Sequence, residues 1–459
     1  MLTQPLGSGS TGAHLASSAG LLRRATNGSV AASALWSFAL FVVSRGLGAL
    51  TGFALAVLLG AAGYGAYSFA MALASSLMVP ALVGTDGLLV REIATYRRRR
   101  QWPLTRGILL RTAQAVLSAT LVLGALAALV GIVASSWLDP ELASVWWLGL
   151  AIMPLLAFIN LIQAAMRGLS HVVLGQVPVL LIKPGFFALF VGVAWLWLGD
   201  EISAPLAILL TGAAALLALL AAWTHLLRRL PREVKAGPAE FRTRVWVQSA
   251  APMLAIGLVQ VVNAHVDIVM IGALLGAGPT GVFTLANTVA GLVLLALNAV
   301  NAVLGPALVT AHASGDRARL QQLVTRTTRG ALMAALPLAM VFLILGGPLL
   351  ALFGAEFTEG RLALAVLTVG HLCNVFMGSV GLILIMTGHE RDAAWGIALA
   401  TLVHVLLNAV LIPHWGVVGA AAANAGSVIL WNFLLARRAY VRLGLHTSAL
   451  GVLGRRGAP

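Results

Sequence analysis

Residues 57–70 read VLLGAAGYGAYSFA, and residues 273–286 read ALLGAGPTGVFTLA. Leu58, Leu59, Gly60, Ala61, Gly65 and Ala70 recur 216 positions later as Leu274, Leu275, Gly276, Ala277, Gly281 and Ala286. Tyr67/Phe283 and Ser68/Thr284 are conservative partners. A weaker echo pairs Met166 and Gly168 with Met386 and Gly388. A shared Gly-x4-Gly step inside matched apolar flanks reads as an internal repeat, so the chain is two copies of one folding unit.

What surrounds the repeat settles the solvent. Of 459 residues only 9% are charged, against ~25% in a soluble protein, and 60% are hydrophobic. The mean hydropathy is +0.97. Too little polar surface remains to wrap a soluble particle, so the chain reads as a polytopic membrane protein. A span needs ~20 mostly apolar residues. Such stretches fall at 34–57, 64–89, 108–136, 145–165, 172–198, 204–227, 247–275, 281–309, 330–353, 362–386, 394–413 and 416–436. Backbone cannot lie unpaired in lipid, so they are helices. The fold expected is all-α: about twelve transmembrane helices in two pseudo-symmetric six-helix lobes around a central cavity. Six spans per lobe make the repeats parallel, related by an axis along the membrane normal.

Charge then orients the chain. Of 29 Lys and Arg, all but Arg45, Lys183 and Arg361 fall in the tails and loops that twelve spans place on one side. The opposite loops hold Arg361 and the acids Asp139, Glu141, Asp200, Glu201, Glu356 and Glu359. By the positive-inside rule both termini are cytoplasmic, in a multi-pass protein of the inner membrane. The net charge of +15 thus serves topology and anionic lipid headgroups, and nucleic acid is excluded as a partner. The divisions expected are a disordered tail (1–29), a first lobe (30–227), a basic linker (228–246), a second lobe (247–440) and a basic tail (441–459). Cys373 is the single cysteine, so no disulfide framework or cysteine-rich metal site is expected.

The stretches LLGAAGYGAYSFA and HVDIVMIGALLGAGPTGVFTLA resemble the two motif copies of polysaccharide flippases. These are the O-antigen-type lipid-linked oligosaccharide translocases of the multidrug/oligosaccharidyl-lipid/polysaccharide exporter superfamily. Arg45, the run LLVREIATYRRR and the turn MTGHERDAAWGIA carry the resemblance further, over residues 34–440. Members often have fourteen helices, and this chain stops near twelve. The resemblance implies alternating-access movement of a lipid-linked oligosaccharide or related anionic glycolipid, with polysaccharide assembly proteins as further partners.

A few polar groups inside the apolar runs are candidates for the work. Arg45 sits near the middle of the first span, where an ionised Arg costs at least ~2.5–3.5 kcal/mol. Guanidinium stays charged and meets phosphate oxygens bidentately, so Arg45 is read as holding a pyrophosphate-type head; the plainer alternative is an ion pair with Asp86. Lys183, beside the helix-breaking Pro184, is a second phosphate contact or a snorkelling lysine. Asn287, Asn298 and Asn301 form a stripe suited to sugar hydroxyls, as do the pairs His371/Asn374 and His404/Asn408, although ordinary interhelical hydrogen bonds also explain them. Gln260, Asn263 and Asp267 share one helix face, where Asp267 carries a coupling ion or gates the cavity. Asp86 is expected in a salt bridge with Arg91. No cofactor, metal or catalytic residue is expected. There is no phosphate-binding G-x4-G-K-[ST], no H-E-x-x-H and no paired carboxylates, which disfavours a membrane glycosyltransferase or polymerase. The nearer alternative is a cation-coupled multidrug antiporter.

Overall fold

The computed structural model describes residues 11–451, which are helices and turns with no strand among them. In chain order the α-helices are α1 (Thr11–Ala81), α2 (Thr85–Arg98), α3 (Trp102–Ala134), α4 (Pro140–Gly168), α5 (Val172–Val177), α6 (Lys183–Leu198), α7 (Ala204–Arg229), α8 (Arg232–Ala236), α9 (Thr243–Leu275), α10 (Ala277–Gly291), α11 (Leu295–Ala313), α12 (Arg317–Ala351), α13 (Arg361–Met377), α14 (Val380–Met386) and α15 (Glu390–Leu443). Ten helical stretches among the described residues are long and apolar enough to cross a membrane.

Two of these ten stretches are hairpins. Ala39–Ala81 has 43 residues and Glu390–Leu443 has 54. Straight, they would measure about 65 and 80 Å, at least twice the hydrocarbon thickness. Each carries one glycine in a conformation closed to other residues, Gly60 at φ 64° and Gly416 at φ 56°. The arms fold back on themselves there. A β-carbon at Gly52 would lie 3.6 Å from the Tyr64 hydroxyl. Ser427 Oγ donates to the Ala400 carbonyl at 3.1 Å, across 27 residues of sequence.

Other breaks also sit where the sequence weakens the helical ladder. The second expected span ends at Ala81, and Val83 (φ 51°) and Gly84 (φ 68°) turn the chain into amphipathic α2. Residues 178–182 wind as a π-helix between Pro178 and Pro184, where missing N–H donors loosen the register. The eighth expected span is interrupted by a 3-10 turn at 292–294, and the tenth by Gly378 at φ 77°.

The repeat read from the sequence is carried by the backbone. Gly60 (φ 64°, ψ −177°) and Gly276 (φ 91°, ψ −169°) adopt nearly the same conformation. So do Gly199 (φ 57°, ψ −124°) and Gly416 (φ 56°, ψ −135°), a pair that repeat matching of side chains did not reveal. The second arm of α1 and α10 cross at Gly65 and Gly281. A β-carbon on Gly65 would stand 1.8 Å from the Ala277 carbonyl oxygen, and one on Gly281 would stand 1.9 Å from that of Ala61. The two contacts interchange when 216 is added to one pair and subtracted from the other. Around this crossing Leu55, Ala56, Phe69, Phe283, Leu285 and Ala286 are buried.

The segments between and beyond the halves are pinned by polar contacts. In 228–246 the Gly237 carbonyl accepts from Arg106, and the Glu240 N–H donates to the Pro103 carbonyl at 3.0 Å. Trp246 Nε1 donates to the buried Tyr96 hydroxyl at 2.9 Å, and burial raises that phenol above its ordinary range. After α15, Arg329 holds the carbonyls of Ala449 and Leu450 at 2.8 and 3.1 Å. Of the expected N-terminal tail, residues 1–10 lie outside the described residues, as do 452–459 of the C-terminal one; α1 begins at Thr11.

Candidate functional site

Between the halves, toward the end of the bundle that bears the arginine-rich loops, lies a cavity of about 500 Å³. Met78 and Leu82 of the first half line it with Asp86 of α2 and Asn160 of α4. From the second half α9 contributes Met253, Gly257 and Gln260. The packing is close at Gly257, where a β-carbon would meet Val79 Cγ1 at 3.1 Å. The cavity lining contains no Lys or Arg, and its one charged group is the exposed Asp86. The expected Asp86–Arg91 bridge does not form. Arg91 pairs with its neighbour Glu92 at 3.0 Å, because α2 turns Asp86 toward the cavity and Arg91 toward the surface.

The cations expected in this hollow sit elsewhere. Arg45 is exposed on α1, its guanidinium 5.2 Å above the ring of Phe41 one turn earlier, and no described carboxylate pairs with it. The alternative pairing with Asp86 is therefore absent as well. Lys183 is half-buried where the π-helix passes into α6, without an ion pair among the described residues. The asparagine stripe is divided by the 292–294 turn. Asn287 is half-buried on α10, Asn298 is exposed on α11, and Asn301 accepts from Ser379 Oγ.

The second half contains a denser site. Asp267 is 5% exposed. Its Oδ1 accepts from Asn408 Nδ2 at 2.6 Å and stands 2.7 Å from His404 Nε2. Its Oδ2 accepts from Asn424 Nδ2 at 2.8 Å. His404 Nδ1 lies 3.2 Å from Asn263 Oδ1. A buried carboxylate survives only with such donors around it. Helix α9 brings Asn263 and Asp267, and both arms of the α15 hairpin bring the rest, so the Gly416 reversal assembles the site. An imidazole protonated on both nitrogens serves both oxygens it faces; a neutral ring does so when Asn263 presents its amide N–H instead. N–H groups already occupy the carboxylate, whereas a hard cation asks for about six oxygens.

Gln260, Asn263 and Asp267 thus do share a face, and it leads from the cavity wall inward to the buried acid. His404 and Asn408, grouped by sequence with sugar contacts, belong to this network. Asn424 was missed; its only signal is an amide inside the run AAANAG at 421–426. Asn374 Oδ1 accepts from Asn432 Nδ2 at 3.0 Å, while the buried His371 leaves Nδ1 unpartnered.

This arrangement of helices is the fold of the MOP-superfamily transporters. The chain aligns with an inward-facing multidrug resistance MATE family transporter of that superfamily at 14% identity, covering 86% of this chain and 94% of that one, with TM-score 0.67. It aligns with the lipid II flippase MurJ in an inward closed conformation at 13% identity, covering 88% and 87%, with TM-score 0.68. For an outward-facing MATE family transporter the values are 12% identity, 90% and 95% coverage, and TM-score 0.57. No curated protein matches the chain in sequence. The family model described as polysaccharide biosynthesis protein matches residues 30–312, more than half of the chain, and the chain belongs to that family.

Proposed function

We propose that this protein moves a lipid-linked oligosaccharide, or a related anionic glycolipid, across the cytoplasmic membrane for surface polysaccharide synthesis. It works by alternating access and catalyses no covalent step. Each glycine hairpin contributes two crossings, giving twelve, with the arginine-rich end and both termini in the cytoplasm. The observation that carries this reading is the placement of the cavity: it lies between the halves at the arginine-rich end, while the opposite end is closed by the Gly65–Gly281 crossing. Along α1 and α10 the surface toward the arginine-rich end is open, since a β-carbon at Gly46, Gly48 or Gly291 would meet nothing within 4 Å. A lipid tail stays in the bilayer at that opening while the head enters. Arg45 and Lys183, which lie outside the cavity lining, draw the anionic head toward the bundle, and Asn287, Asn298 and Asn301, also outside it, are left to meet sugar hydroxyls as the sugar passes. Asp267 and His404, reached past Gln260 and Asn263, exchange the coupling proton.

The test is reconstitution into proteoliposomes with a fluorescent undecaprenyl-pyrophosphate sugar, following its accessibility to an external quencher. Transfer that accelerates with an imposed proton gradient is expected; a rate equal to protein-free vesicles overturns the proposal. Asp86 in the cavity, with no cation beside it, favours a second reading, a proton-coupled antiporter of organic cations. Ethidium efflux from the same vesicles, with no movement of the glycolipid, would select it.

A further inference from the structure

The end of the bundle opposite the arginine-rich loops carries acids whose sequence role is only topological. Two of them reach across the seam between the halves. Glu356, just before α13 in the second half, accepts through Oε1 from the Ala61 N–H at 2.5 Å. Asp139, just before α4 in the first half, accepts through Oδ2 from the Ala277 N–H at 3.0 Å. Ala61 and Ala277 are the first residues after the glycine reversals at Gly60 and Gly276, so each carboxylate caps a free helix N-terminus in the other half. The two acceptors are 217 residues apart and the two donors 216, so the bonds are repeat-related copies of each other.

The glycines make room for them. A β-carbon at Gly60 would stand 2.7 Å from Glu356 Oε1, and one at Gly276 would stand 2.6 Å from Asp139 Oδ2. Positive φ turns the first N–H of the following helix outward, and the absent side chain lets the carboxylate approach. Asp139 also caps its own helix α4, its Oδ1 accepting from the Glu141 N–H at 3.0 Å. Directly below lies the Gly65–Gly281 crossing.

We infer that Asp139 and Glu356 are a matched pair of latches that hold this end of the transporter shut. Opening it separates α10 from the second arm of α1, so both caps must break together, and the freed N–H groups and carboxylates are then taken up by water. A closed state held by two equivalent, water-replaceable bonds is stable yet reversible, where a continuous apolar seam would resist wetting. The inference rests on the alternating-access reading above, and it assigns the residues that set the balance between the two states.

The experiment uses the full chain with Cys373→Ser and spin labels at the exposed positions Ser136 and Thr358, one in each half beside its acid. Distances are measured by pulsed electron paramagnetic resonance without substrate. Ser at 139 keeps the cap on α4 but is too short to reach Ala277, so Asp139→Ser/Glu356→Ala removes both latches. The native protein is expected to give one short distance. The double variant should gain a longer population, with the open-to-closed ratio raised about thirtyfold, the size expected for two lost helix caps. Glu356→Gln keeps an acceptor and should restore most of the short distance. An unchanged distribution in the double variant overturns the inference. So does one featureless distribution shared by the double variant and Glu356→Gln, because the acids would then only support the fold. If the distances shift as expected while no glycolipid moves in vesicles, the latches stand and the substrate assignment falls.

Discussion

The two halves of this protein share a skeleton and differ in what they bury. Their backbones turn at matched glycines, 60 with 276 and 199 with 416, and they touch through reciprocal contacts at Gly65 and Gly281. In their interiors the match ends. The first half carries two cations within its spans, the exposed Arg45 and the half-buried Lys183, and buries neither; both lack an ionic partner among the described residues. The second buries one carboxylate, Asp267, with two amide donors and the His404 imidazole around it. Symmetric parts suit a motion that exchanges two states of similar energy. Asymmetric parts suit steps that must happen once per cycle, which in the proposed function are charge offered to a ligand by one half and a proton held by the other.

That division predicts different failures. The largest effect is expected at Asp267. Asp267→Asn keeps a side chain of the same shape but cannot exchange the proton, so glycolipid transfer should fall at least tenfold and lose its response to a proton gradient. Asp267→Ala should also unfold more easily, by about 1–3 kcal/mol, as expected when the buried amides of Asn408 and Asn424 lose their acceptor. Thermal melting in detergent separates the two variants. A transfer rate for Asp267→Asn that still follows the gradient would remove the coupling role.

Next in size are Gly65→Val and Gly281→Val. Both put branched side chains where even a β-carbon falls under 2 Å from a carbonyl oxygen of the other half. If the crossing is symmetric, the two variants should shift the spin-label distances by the same amount and in the same direction. Unequal shifts would break the comparison at its structural end. Arg45→Ala should then separate the halves by function: transfer falls several-fold, while its dependence on the proton gradient keeps the native midpoint, because among the described residues Arg45 makes no bond to the Asp267 network. A displaced midpoint would place Arg45 within the coupling machinery.

Much of this was legible in the sequence, for physical reasons that are local. Apolar length marks the spans, arginines mark one end, and a repeated Gly-x4-Gly marks a turn that no other residue can make. What the sequence concealed depends on contacts between distant segments. Asp267 and Gln260 share a visible face, but Asn408 and Asn424 lie 141 and 157 residues away and are joined to it only because α15 folds back at Gly416. The positive cavity expected from Arg45 and Lys183 is replaced by one with Asp86 on its wall, since the turn at Val83 and Gly84 rotates α2 in a way that span counting cannot see. Asp139 and Glu356 looked like orientation markers because a residue's charge is visible in sequence and its hydrogen-bond partner is not.

The smallest effect belongs to Asn424, and it tests whether the network or the single acid does the work. Asn424 donates to Oδ2, while His404 and Asn408 both address Oδ1. Asn424→Ala leaves Oδ2 without this donor in a buried place, which costs about 1–3 kcal/mol. Thermal melting in detergent should register that cost, and the response of transfer to an imposed proton gradient should weaken less than in Asp267→Asn. No such weakening is expected from Asn160→Ala, since Asn160, the amide on the first half's side of the cavity, donates to the Leu156 carbonyl at 2.8 Å and to Met78 Sδ at 3.3 Å and not to this network. A native gradient response in Asn424→Ala would reduce the second half's site to Asp267 and His404 alone; an equal weakening in Asn160→Ala would show that both halves serve the coupling.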